Sequence, residues 1–122
     1  MKQIPLLSEE AAQFTMLVYQ AFSENRDNII VKILFLDTLK AAHSIEKAFS
    51  ENKKLSTEVY LKYALDYWIK VKSILLIARN IKLCSAAQSL HLLEKINQIQ
   101  KISNGLIRHL KNKKAVRAGE AQ

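Results

Sequence analysis

Between Glu94 and Glu120 the chain carries no acidic residue, and that window holds Lys95, Lys101, Arg108, Lys111, Lys113, Lys114 and Arg117. These seven cations account for nearly all of the formal net charge of +8 over 122 residues; the remainder of the chain is one positive charge from neutrality. A concentrated excess of this kind attracts polyanions and raises association rates with them. Lys101, Arg108, Lys111, Lys113, Lys114 and Arg117 are therefore the first candidate nucleic-acid-binding residues. A solvated helix end accounts for single cations, and less readily for six with no compensating acid. No Phe, Tyr or Trp lies in the window. Contact there runs through phosphates and carries little sequence information.

Two further cations stand out in the most apolar stretch, Tyr60 to Lys82, which contains neither Gly nor Pro. At helical pitch Leu61, Leu65, Trp68 and Leu75 share one side. Lys62, Asp66, Lys70 and Ser73 share the other, within about 80°. Lys72 and Arg79, seven apart, fall on the apolar side. Their stems can bury while their heads snorkel to the end of the molecule. The functional alternative is a subunit seam or channel wall where they meet phosphate or a partner's carboxylates. Tyr60, Tyr63, Tyr67 and Trp68 are read as packing residues.

Signals for catalysis or metal binding are absent. No Asp or Glu is followed three residues on by His, so the di-iron helix pairing is missing. His43, His91 and His109 form no Cys/His cluster at zinc spacing. Two glycines cannot build a phosphate-cradling loop. Cys84 has no evident base and reads as a small residue filling a turn. The run Arg79-Asn80-Ile81-Lys82-Leu83-Cys84 resembles the Arg-polar-x-x-x-His motif of HEPN-type helical nucleases, with Cys where the catalytic His belongs. A thiol is poorly suited to proton transfer near neutral pH. No catalytic residue, cofactor or metal is assigned.

The elements that carry these residues are helical. Ser8-Glu9-Glu10 offers a hydroxyl cap and carboxylates at a helix start, after a lead-in through Pro5. Phe14, Leu17, Val18, Ala21 and Phe22 then give an apolar stripe. A second helix is expected to bury Val31, Phe35, Leu39, Ala42, Ile45 and Phe49, with Lys40 and Lys47 outside that seam. Ile29, Ile30, Ile33, Leu34 and Leu36 supply more apolar surface than one neighbour needs. The third helix has a narrow polar arc and is expected to be central, with neighbours on most of its circumference. Ser85 and Gln88 form a capping box for the fourth, in which Leu92, Ile96, Ile99, Ser103, Leu106 and Leu110 alternate by four and three. Gly105 inside that helix implies a close neighbour. Asn112 to Gln122 is expected to be a frayed basic tail.

The spacing thus predicts one all-α domain over residues 1–122. Its helices span about 8–24, 28–52, 57–82 and 86–111, followed by a basic tail over 112–122. Short connections make it an up-down-up-down antiparallel four-helix bundle, roughly 35–40 Å long at about 1.5 Å per residue. With 49% apolar and 25% charged residues and only two Gly and one Pro, the composition is that of a globular helical protein. A single cysteine excludes an intramolecular disulfide and fits a reducing compartment. Met1-Lys2-Gln3 leads into no signal-peptide core, and no apolar run approaches a membrane span. A soluble cytoplasmic protein is expected.

From about Tyr19 to Lys111 the chain resembles a family of small four-helix-bundle proteins. That family includes the large-subunit ribosomal RNA intervening-sequence proteins and Avd, the accessory protein of diversity-generating retroelements. The residues that carry the likeness are Ile74 to Ala78, Ile81 to Ser85 and Ile99 to Ile107, ending in the small pair Asn104-Gly105 before Leu106. Leu106 stands where the family has an aromatic residue, and Ser23-Glu24-Asn25 replaces a Pro-containing turn. The resemblance implies a ring-shaped homopentamer with a basic surface that binds a reverse transcriptase and template RNA. The extra apolar surface of helices two and three independently suits a homo-oligomer. The expectation is a non-catalytic basic accessory protein that binds RNA or DNA and a reverse transcriptase. The alternative is a protein-interaction bundle with an acidic partner and no role with nucleic acid.

Overall fold

The computed structural model describes the backbone of residues 3–120 and the side chains of residues 6–119. Helix α1 spans Gln3–Ala21, α2 Ile29–Ala48, α3 Thr57–Asn80 and α4 Ala86–Glu120, with a 3-10 turn at Ser23–Asn25. Each helix packs on the one before it, and α4 closes on α1. The result is an antiparallel four-helix bundle of up-down-up-down order, as the spacing predicts. No helix of the described residues is long and apolar enough to cross a membrane.

Helix α1 begins earlier than Ser8. Pro5 sits in its first turn, where backbone N–H groups have no intrahelical acceptor and the missing donor is harmless. Leu7, Ala11, Phe14, Val18 and Phe22 are buried along one stripe, so packing draws the helix back to include Leu7. The helix ends at Ala21, and Ser23 and Glu24 lie in the 3-10 turn.

Asn28 caps α2, its side chain accepting from Ile30 N–H at 2.8 Å. The helix stops at Ala48, short of the expected Asn52. There the Thr57 hydroxyl donates to the Ala48 carbonyl at 2.9 Å and occupies the acceptor that another turn would use. The buried row of α2 differs in phase from the expected one. It comprises Val31, Leu34, Thr38, Ala41, Ser44, Ile45 and Ala48. Phe35, Ala42 and Phe49 are half-buried, and Leu39 is exposed. Thr38 is accommodated because its hydroxyl donates to the Leu34 carbonyl at 2.7 Å, so that this buried hydroxyl is satisfied within its own helix.

Ser56 caps α3, accepting from Val59 N–H at 3.2 Å. This helix is not central. Leu61, Ala64, Trp68, Val71, Leu75 and Ala78 are buried, but Tyr63, Ile69 and Ile77 are exposed. In a ring of four helices each occupies a corner and covers only its inward side. The capping box of α4 is present: Gln88 N–H donates to Ser85 Oγ at 3.1 Å, and Ser85 N–H to Gln88 Oε1 at 3.2 Å. The expected seam of α4 is buried from Leu92 to Leu106, with Leu110 half-buried. Ser103 donates to the Ile99 carbonyl at 2.8 Å.

Two expectations about the end of α4 are corrected. Gly105 has no close neighbour: a Cβ there would meet nothing within 4 Å. Residues 112–120 are not a frayed tail but part of the 35-residue helix. The apolar pattern stops after Leu110, whereas Lys, Ala and Arg continue to favour helix.

Candidate nucleic-acid interface

Lys101, Arg108, Lys111, Lys113, Lys114 and Arg117 are all exposed on α4. Helix geometry divides them. At about 100° per residue, Lys101 and Arg108 lie roughly opposite the buried seam, with Lys111 on its flank. Lys113, Lys114 and Arg117 continue the azimuth of Ser103, Leu106 and Leu110 to within about 50°. The face that is apolar inside the bundle thus becomes cationic where α4 passes the start of α3.

At that point Lys113, Lys114 and Arg117 line a groove of about 270 Å³ together with Leu110, Ser56, Thr57 and Glu58. Glu58 lies in the first turn of α3 and suits the positive end of that helix. Among the described residues it forms no ion pair with these cations; the pair found there is Lys95 with Glu10, at 3.4 Å. Lys95 also donates to Gln13 Oε1 at 3.1 Å, so this cation binds α4 to α1. The basic end of α4 has no such anchor among the described residues.

Lys72 and Arg79 have different surroundings. Lys72 is half-buried and donates to Asn97 Oδ1 on α4 at 2.8 Å, which commits its ammonium to the α3–α4 contact. Arg79 is exposed in the last turn of α3 rather than held within apolar surroundings. The structure therefore does not bring the pair together with the cations at the far end of α4.

A second basic surface, not among the residues expected from the sequence to bind nucleic acid, lies between α2 and α3. Lys40, Lys47, Lys70, Tyr60, Tyr63 and Tyr67 line an open groove of about 530 Å³, with His43, Ser44, Leu55 and Asp66. The ammonium groups of Lys40 and Lys70 lie 6.0 and 5.4 Å from the Tyr67 ring centroid. Tyr60 and Tyr63 meet edge to face at 6.5 Å. Tyr60 is 9% exposed but Tyr63 is 49% exposed, so the aromatic group is not purely core packing. The available signal was Lys40 and Lys47 at heptad spacing on one helix, and tyrosines interleaved with Lys70 on the next.

Cys84 is half-buried in the α3–α4 connection, where burial pushes its thiol pKa up. That shift opposes formation of a nucleophilic thiolate. Among the described residues no group of three or more His, Cys, Asp or Glu side chains could hold a metal ion.

No protein-family model and no curated protein matches the chain. A solved structure is similar to it: a protein of unknown function from the S23 ribosomal protein family of Bacteroides thetaiotaomicron. The two share a TM-score of 0.77 at 13% sequence identity, over 87% of this chain and 98% of that one. At this identity the likeness is one of helical fold.

Proposed function

We propose that this bundle is a non-catalytic, basic accessory protein that binds nucleic acid, RNA in particular. In the cell it acts beside a reverse transcriptase of a diversity-generating retroelement, as a cytoplasmic homo-oligomer. The basic end of α4 carries the reading. Six cations stand on a continuous helix with no acidic residue between Glu94 and Glu120. The helix presents several ammonium and guanidinium groups, Lys113, Lys114 and Arg117 among them on one face, to a phosphate chain without first ordering a coil. The reverse transcriptase and the pentameric ring rest on the family resemblance in the sequence.

Exposed apolar residues support self-association. Ile29, Ile33, Leu36 and Leu39 are 67%, 44%, 52% and 56% exposed along α2. The same row favours a second reading, a protein-interaction bundle without a nucleic-acid role.

Salt separates the two readings. Binding of a labelled single-stranded RNA should weaken steeply with ionic strength, with a logarithmic slope of about −0.7 per phosphate neutralised. Replacing Lys113, Lys114 and Arg117 together with Ala should flatten that slope by about 2. Failure to bind RNA at low salt, or affinity indifferent to salt, would remove the nucleic-acid role. A monomeric mass in solution would remove the oligomer.

A further inference from the structure

We infer that the groove between α2 and α3 holds an unpaired segment of single-stranded nucleic acid, with a base stacked on Tyr63 and flanking phosphates on Lys40, Lys47 and Lys70. This deepens the nucleic-acid reading above and rests on it. The groove supplies what the basic end of α4 lacks, an aromatic surface among the cations.

Three of the chain's four tyrosines line this groove. Tyr63 is braced edge to face against the buried Tyr60 and remains 49% exposed. A braced, half-exposed ring has little freedom left to lose when a base covers it. Lys40 and Lys70 are exposed and rest near Tyr67, at 6.0 and 5.4 Å from its centroid, where a weak cation–π attraction favours their position at the groove. Among the described residues neither ammonium has a hydrogen-bond or ion-pair partner, so their N–H donors are free for phosphate oxygens. Asp66 is the lone carboxylate in the lining, against the three lysines. The volume of about 530 Å³ lies within the roughly 300–1,000 Å³ of small-ligand clefts.

Cations interleaved with exposed aromatic rings are the arrangement by which proteins hold single strands, because every base has a face that can stack. A duplex keeps its bases stacked on one another and cannot use the ring. A phosphorylated peptide would use the lysines and leave Tyr63 without a role. The groove therefore discriminates single strands from duplex, whereas the α4 cations treat both as phosphate chains.

The test uses the full chain with a fluorescein-labelled 12-nucleotide oligouridine and a 12-base-pair RNA duplex. Tyr63→Ala should weaken oligouridine binding about tenfold or more and leave duplex binding unchanged. Tyr63→Phe, which keeps the ring, should bind as the parent does. Lys40→Gln with Lys70→Gln should weaken oligouridine binding and flatten its salt dependence. Circular dichroism checks that each variant keeps its helices. Photocrosslinking to 5-bromouridine RNA should label the peptide containing residues 60–67. Unaltered oligouridine binding by Tyr63→Ala, or crosslinks confined to residues 101–117, overturns the groove while leaving the α4 reading intact. Absence of binding to either RNA by the parent overturns both.

Discussion

The ring of Phe14 on α1 meets the indole of Trp68 on α3 edge to face, with centroids 5.4 Å apart and planes at 88°. These helices occupy opposite corners of the bundle, so the pair joins its diagonal at the centre. Both side chains are fully buried, and Trp68 Nε1 has no hydrogen-bond acceptor among the described residues. Trp68→Ala should cost about 3–5 kcal/mol, a large share of the roughly 5–15 kcal/mol that stabilises a domain. Urea unfolding followed by circular dichroism measures this. The sole tryptophan should also emit at short wavelength when folded and shift to the red on unfolding. A folded-state emission typical of water-exposed indole would contradict its burial.

Gly105 lies on the exposed face of α4, and a methyl group there meets nothing. Gly105→Ala should stabilise the protein by about 0.5–1 kcal/mol through reduced freedom of the unfolded chain. The urea midpoint should rise with an unchanged m-value. A fall in the midpoint would reveal a close neighbour at this position.

Lys82 ends α3 in a left-handed conformation, with φ of 62°. Its N–H donates to the Arg79 carbonyl at 3.0 Å, and Leu83 N–H to the Ala78 carbonyl at 2.9 Å, the bonding of a Schellman motif. Glycine takes this conformation without the crowding a Cβ brings. Lys82→Gly should gain roughly 0.5–1 kcal/mol, while Lys82→Ala should gain nothing. Equal midpoints for the two variants would show that the left-handed turn is not what limits stability there.

The Cys84 thiol has its pKa raised by burial. Its alkylation by iodoacetamide should therefore begin at higher pH than that of free cysteine. The unfolded chain releases the proton first. The associated stability is complete below the ordinary thiol pKa and is lost as pH rises through the folded value. An alkylation midpoint at or below that of free cysteine would reverse the assignment.

Much of the scaffold is legible in the sequence because its signals are local. Ser85 and Gln88, three residues apart, carry the whole capping box of α4. The four-three alternation from Leu92 to Leu106 has one solution for the inward face, and the structure buries that face. The concentration of cations after Glu94 is likewise a property of the chain alone. Helix α2 is different. With Ile29, Ile33, Leu36 and Leu39 competing against Val31, Leu34 and Ile45, periodicity admits more than one phase. Contact with the neighbouring helices selects the row that turns Thr38 inward, where its hydroxyl bonds the Leu34 carbonyl of its own helix. The groove on α2 and α3 depends on the same choice. Lys40 and Tyr67 belong to different helices, and only the packing that turns Thr38 and Ala41 inward brings that ammonium to within 6.0 Å of the ring centroid.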